Sequence, residues 1–271
     1  MRASASAKIN LALVVGPVRA DGKHEVATVY QRIGIADRIE LDLARSLLVE
    51  GFDADTLVRG ALESLAARAG VEPRWHVRIE KRLPIAAGIG GGSSDAATAL
   101  RLANATLPEP LPDDDLRELA TALGADVPFF LLDGPQLGTG DGSVLAPLDL
   151  PQDFWVVLLV PRLIEKPSTA AVYADFDLRD GAAGFEERRA ALLATLAAVR
   201  RPRDFAALPS NDLASSPLAE ELRALGAFRA DVTGAGPAVF GLFHHRDRAK
   251  AAQRALKAAG ESWLTAPAWY G

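Results

Sequence analysis

One stretch limits this chain more than any other. In Pro84-Ile85-Ala86-Ala87-Gly88-Ile89-Gly90-Gly91-Gly92-Ser93-Ser94-Asp95, four glycines fall within five residues, directly before an alanine-rich run that reads as helix from Ser94 to Asn104. Glycines tolerate positive φ and let the backbone approach a ligand closely. Successive N–H groups can then turn to one side as a concave anion nest opening onto a helix N-terminus, an arrangement that suits a polyphosphate. The plain alternative, a flexible turn capped by serine, is disfavoured by so many glycines immediately before a helix. The loop is not a P-loop, because no Lys-Ser/Thr follows the glycines, and it is not GxGxxG, because Ser93 stands at the third glycine. Ser93 or Ser94 is placed either to cap the helix or to reach Mg2+, with Ser94 the candidate metal ligand.

Composition narrows the chemistry. The 271 residues suit one large or two small domains. The absence of cysteine excludes disulfide scaffolds, thiolate metal sites, Fe–S clusters and a cysteine nucleophile. With 35 acidic against 30 basic residues the net charge is −5, a poor footing for nucleic acid, which demands clustered Lys and Arg. Any phosphate chemistry must therefore be local, built from amides and a few placed cations. Met1-Arg2-Ala3-Ser4 runs into a segment holding Lys8 and Asn10, unlike a signal peptide, and the longest apolar run, Phe154 to Val160, falls far short of the ~20 residues of a membrane span. The expectation is a soluble, cytoplasmic protein with neither a membrane nor a nucleic acid as partner.

The elements read as α+β. Odd positions from Ala5 to Val15 are all apolar, the period of a half-buried strand, which puts Lys8 and Asn10 together on its other face. Arg32 to Leu43 repeats the alternation, and Val77 with Ile79 marks a short strand. Helical spacing covers Thr56 to Ala69, with Gly70 just past its end, and a run opened by Asp113-Asp114-Asp115 and closed before Gly124. Beyond a break near residue 150, strands are expected at Phe154 to Val160, Phe228 to Thr233 and Ala238 to Phe243. Helical stripes lie at Leu192 to Val199, Leu218 to Leu225 and Ala252 to Ala259.

Other candidates are ambiguous singly. Asp126, in Gly124-Ala125-Asp126-Val127-Pro128-Phe129-Phe130, is on its own a turn aspartate held by apolar packing. Thr233-Gly234-Ala235-Gly236-Pro237 reads as a hairpin turn. Polar residues on a strand's outer face, as Lys8 and Asn10 are, are usually solvated. His24, His244 and His245 read as surface histidines.

In chain order these pieces gain meaning. Ala7-Lys8-Ile9-Asn10-Leu11, Asp21-Gly22-Lys23-His24-Glu25, Lys81-Arg82-Leu83-Pro84, the loop from Gly88 to Ala97, Gly124 to Phe130, Asn211-Asp212-Leu213 and Thr233 to Pro237 together resemble the GHMP kinases, and within them the branch acting on a cytidine-diphosphate sugar alcohol. The resemblance implies a two-lobed α+β fold. Residues 1–150 would be an ATP-binding lobe like ribosomal protein S5 domain 2, residues 151–271 a ferredoxin-like lobe, and the seam near residue 150 one wall of the cleft. It implies ATP along Pro84, Ile85, Ala86, Ala87, Gly88, Ile89, Gly90, Gly91, Gly92, Ser93 and Ser94, with Lys81 and Thr56 also at the nucleotide. By the same likeness Lys8 and Asp126 fall on the catalytic pair, and Asn10, Lys23, His24 and Tyr173 on the substrate, with Mg2+ as the accompanying ion.

Three departures bear on specificity. Lys23 stands where the family's turn has a Tyr that stacks on the base, Thr56-Leu57 replaces Asn-Leu at the adenine pocket, and Thr233-Gly234-Ala235 replaces Ser-Gly-Ser. Lys23 motivates a second reading, a kinase of the same family for another alcohol of homoserine or mevalonate type. A non-catalytic nucleotide sensor is a third, and it has no need of both Lys8 and Asp126.

Overall fold

In the computed structural model, which describes residues 1–52, 57–162 and 168–268, the N-terminal alternation becomes a long antiparallel ribbon. Its strands are β1 (Arg2–Val18) and β2 (His24–Leu43). Register shifts at Ser6/Ala7, Asn10/Ala12 and Val15/Val18 bend and twist it, as bulges do. Because β2 is so long, its two halves find different partners. Its second half pairs with β4 (Trp75–Glu80), which carries β3 (Leu48–Glu50) on its far edge; its first half pairs with β5 (Gln136–Gly140), followed by β6 (Val144–Pro147).

Three helices cover one face of this sheet: α1 (Leu57–Ala69), α2 (Gly91–Asn104) and α3 (Asp113–Leu123). Leu62, Leu65, Val77, Leu100 and Phe129 are fully buried between them, each side chain contributing on the order of 1.5–3 kcal/mol.

A second sheet is built from β7 (Trp155–Pro161), β8 (Arg229–Val232), β9 (Val239–Phe243) and β10 (Gly260–Thr265). Between β7 and β8 come α4 (Thr169–Leu178), α5 (Phe185–Ala198) and α6 (Pro217–Ala224), and α7 (Arg246–Ala255) joins β9 to β10. The order β10-β7-β9-β8, antiparallel at every step, is that of a split βαβ sheet of ferredoxin type.

The two sheets meet on β1. Ala7, Ile9 and Leu11 pack with Phe154, just before β7, and with Val156, Leu158 and Phe240 of the second sheet. A polar staple reinforces the join: Val15 N donates to Asp212 Oδ2 at 2.8 Å, Asp212 N donates to the Leu13 carbonyl at 3.0 Å, and Arg188 Nε donates to the same Asp212 oxygen at 3.1 Å. Lys8 and Asn10, on the other face of β1, are buried as well, at 3% and 4% exposed, because the glycine loop at Gly90, the Thr233–Gly234 turn and Tyr30 close over them.

Several elements differ from the sequence reading. The second strand begins at His24, not Arg32, because Val26, Ala27, Val29 and Tyr30 are buried on both faces and show no alternation. Helix α2 begins at Gly91, not Ser94. β5 carries two glycines and β3 is three residues long, so neither has a readable period. α4 and β10 likewise have no counterpart among the expected elements. Thr56 lies outside the described residues.

Candidate active site

The glycine loop is pinned from beneath by its apolar members. Ala87 and Ile89 are 2% and 1% exposed in the core under the loop, and their carbonyls accept from Ala238 N and Lys8 N at 3.2 and 2.9 Å. The intervening Gly88 and Gly90 take left-handed φ of 81° and 73°. Neither tolerates a side chain. A β-carbon at Gly88 would lie 2.5 Å from the Thr233 carbonyl oxygen, and one at Gly90 2.9 Å from Phe130 Cζ. Gly90 is also the N-cap of α2 and, lacking a side chain, leaves the first-turn amides uncapped, as an anion at a helix N-terminus requires. The glycine loop and the Thr233–Pro237 turn thus pack against each other.

Beside this helix end opens a cavity of about 340 Å³. Lys8 and Asn10 come to it from β1, Thr28 and Tyr30 from β2, Ser93 from α2 and Asp126 from the turn after α3. Lys8 Nζ donates to Asn10 Oδ1 at 2.7 Å and lies 3.4 Å from Asp126 Oδ2. Asn10 Nδ2 donates to Thr28 Oγ1, which donates to the Ala12 carbonyl, so the amide is held with its oxygen toward the lysine. Burying an ammonium is costly unless it is paired, and here the amide, the carboxylate and the Tyr30 ring 5.6 Å away offset that cost. The Tyr30 hydroxyl donates to Asp126 Oδ1 at 3.0 Å. Burial first, and then the Asp126 carboxylate, push the Tyr30 phenol well above its ordinary pKa, so it stays a neutral donor. Asp126, with its side chain 33% exposed, is fixed through both oxygens yet faces the cavity.

The far wall comes from the second half of the chain: Thr169 and Tyr173 of α4, Leu213, Gly234 and Ala235. The connection near residue 150 lines none of it, contrary to expectation. His24, although at a strand end, has only 8% of its side chain exposed. Its ring lies 4.7 Å from that of Tyr173, and its Nε2 is 2.8 Å from Asp177 Oδ1. Burial and the Asp126 charge push the Tyr173 phenol up to about 12. Lys23 Nζ reaches Asp141 Oδ2 at 2.5 Å. Burial acts to raise the Asp141 carboxyl, but hydrogen bonds from Lys23 and Ser143 outweigh it and hold it at about 2. A side pocket lined by Lys23, His24, Asp141, Tyr173 and Asp177 adjoins the main cavity.

Other expected residues fall elsewhere. Lys81 Nζ is held between Asp37 and Asp95 at 2.5 and 2.8 Å beneath the loop; burial lowers the amine's pKa, and the two carboxylates more than restore it. Ile85 is 63% exposed on the outer edge of the loop. Ser93 lines the cavity, whereas Ser94 is 1% exposed and lines a separate pocket behind α2. Neither serine caps the helix. Asn211 Nδ2 donates to the carbonyls of Val232 and Gly234, steadying the second glycine turn. His244 and His245 are exposed. Tyr30, Thr28, Asp141 and Asp177 escape the sequence reading: Tyr30 and Thr28 precede the strand expected from Arg32, and only Asp141, ahead of Gly142, sits in a recognisable turn signal.

This fold and this loop belong to one family. Residues 56–134 match the GHMP kinases N terminal domain and residues 185–262 the GHMP kinases C terminal domain, and the chain belongs to the GHMP kinase family. More particularly, it is 35% identical to the 4-diphosphocytidyl-2-C-methyl-D-erythritol kinase of Geobacter sulfurreducens, over 97% of this chain and 96% of that protein. It is 39% identical to the protein of the same name from Salinispora arenicola, over 87% and 81%. A crystal structure of 4-(cytidine 5'-diphospho)-2C-methyl-D-erythritol kinase superposes with a TM-score of 0.80 at 33% identity, covering all of both chains. The mevalonate kinase of Methanococcus jannaschii, at 14% identity and a TM-score of 0.78, shares the fold. Among the described residues no helix is long and apolar enough to cross a membrane.

Proposed function

We propose that the protein is an ATP-dependent kinase that phosphorylates a hydroxyl of 4-diphosphocytidyl-2-C-methyl-D-erythritol, giving the 2-phosphate, in the non-mevalonate route to isoprenoid precursors. The carrying observation is the Lys8–Asp126 pair facing a cavity beside the uncapped N-terminus of α2, in a chain similar along its length to relatives of that name. In this reading residues 1–150 are the ATP-binding lobe and residues 151–271 the lobe that closes the cleft.

Each residue then has a physical task. The amides of Gly88 to Ser93 and the α2 N-terminus hold the phosphates of ATP. Asp126 orients the attacking hydroxyl and accepts its proton, while Tyr30 and Lys8 fix the carboxylate's two oxygens. Lys8 also balances charge building on the transferred group, so most of the rate comes from positioning and electrostatics. Among the described residues no group of three or more His, Asp or Glu is placed to hold a metal. Mg2+ would therefore ride on the nucleotide phosphates, with the Ser93 hydroxyl the cavity-facing protein oxygen in place of Ser94, and would neutralise phosphate charge there. The cytidine end lies at His24 and Tyr173, with Asn10 and Lys23 at its margins. Incubation with Mg-ATP and this substrate, followed by 31P NMR, tests the proposal. A new phosphomonoester on the 2-hydroxyl supports it, and the absence of turnover by folded protein contradicts it.

A further inference from the structure

Behind α2 lies a second cavity, of about 200 Å³, which shares no lining residue with the first. One wall is a stripe of α2 itself, where Ser94, Thr98, Arg101 and Leu102 follow at helical spacing. Ser4 and Ser6 of β1 supply more hydroxyls, and Ala3 and Phe130 more apolar surface. The unusual member is Arg32 of β2, a guanidinium only 2% exposed.

Arg32 is incompletely satisfied. Its Nη2 donates to the carbonyls of Phe130 and Leu132 at 3.1 and 2.8 Å, but its Nε is buried with no hydrogen-bond partner among the described residues. A second cation, Arg101, shares this wall, acts on Arg32 by its like charge and donates to the Leu131 carbonyl. Among the described residues no carboxylate forms an ion pair with either guanidinium; Asp133 acts on Arg32 only at longer range. Burial and the like charge of Arg101 depress the Arg32 pKa. A buried cation with no carboxylate partner, beside a second cation and a row of hydroxyls, is matched by an anion in the cavity they line.

We infer that this cavity is a binding site for a small organic anion, a carboxylate or a phosphate monoester on a short apolar chain, held by Arg32 and Arg101 with the hydroxyls of Ser94 and Thr98. The apolar part lies against Leu102, Ala3 and Phe130. The site is physically tied to the glycine loop: it shares α2 with it, and Phe130 also packs against Gly90. It does not depend on which alcohol the kinase site accepts.

Isothermal titration of the full chain with hexanoate and with hexyl phosphate tests this, in protein saturated with ADP so that the glycine loop is filled. Inorganic phosphate and hexylamine serve as controls. Expected is saturable one-site binding of an anionic probe, the tighter of the two telling carboxylate from phosphate, with none for hexylamine. Arg101→Ala, a change at an exposed side chain, should weaken it by about tenfold or more, the loss of a charge-assisted hydrogen bond. Thr98→Phe, which fills the cavity, should abolish it in protein whose melting curve remains cooperative. Binding seen in ADP-free protein but lost in ADP-saturated protein, affinity unchanged in Arg101→Ala, or no saturable binding below about 10 mM would overturn the assignment.

Discussion

Lys8 Nζ and Asp126 Oδ2 stand 3.4 Å apart, the lysine buried and the aspartate open to the cavity. The lysine is anchored by Asn10 and the aspartate by Tyr30, so the pair is preformed before any ligand arrives. Preorganised charge of this kind needs no rearrangement at the moment of transfer.

Asp126→Asn keeps the side chain's size and its hydrogen bond from Tyr30 but removes the carboxylate proposed to accept the proton. A fall in kcat of about 10²- to 10⁴-fold is expected, with ADP affinity close to that of the parent in calorimetry. A variant with parental kcat removes Asp126 from the mechanism.

Gly90→Ala places a β-carbon 2.9 Å from Phe130 Cζ and 3.1 Å from Lys8 Cγ, on a backbone at φ 73°. The backbone alone costs about 1–2 kcal/mol, and relief of the clash moves the start of α2. Both a lower melting temperature and weaker ADP binding are expected. Unchanged ADP affinity would mean that the loop does not hold the nucleotide.

Lys23→Tyr exchanges an exposed ion pair with Asp141, worth at most about 1 kcal/mol, for an aromatic face. Base stacking contributes ~1–3 kcal/mol, so KM for the cytidine substrate should fall about fivefold or more. A sharp rise in KM would instead assign Lys23 a direct part in ligand binding, and would favour the reading of another alcohol.

The Lys23–Asp141 contact also predicts a pH dependence. The folded carboxyl sits at about 2, below its ordinary value of 3.8, so its stabilising effect is complete above pH ~4 and fades as pH falls toward 2. The melting temperature of Asp141→Asn should therefore lie below the parent's at pH 6, with the gap shrinking by pH 3. A constant gap would show that the charge of Asp141 is not what matters.

Much of this architecture is legible in the amino-acid sequence. The glycine loop, the β1 alternation and the Asp126 turn are local patterns, and local patterns survive folding because turn and strand chemistry dictates them. Lys8 and Asn10 can be placed on one strand face but not judged buried, since the groups that cover them are distant in sequence: Gly90 of the glycine loop, Asp126, and the Thr233–Gly234 turn. Tyr30 and Asp177 carry no local signal: both lie outside the elements expected from the sequence, and only tertiary contact joins them to Asp126 and His24. Ser94 shows the limit of motif reading, because where α2 begins decides which serine faces the cavity. Gly90, not a serine, sets that start.

The most direct measurement is the specificity constant for phosphoryl transfer from Mg-ATP across three alcohols: 4-diphosphocytidyl-2-C-methyl-D-erythritol, homoserine and mevalonate. The predicted kcat/KM for the cytidine compound is at least about 10³-fold above the other two, because in the proposed binding mode only it would contact His24 and Tyr173 as well as Asp126. Equal constants, or preference for homoserine or mevalonate, would contradict it.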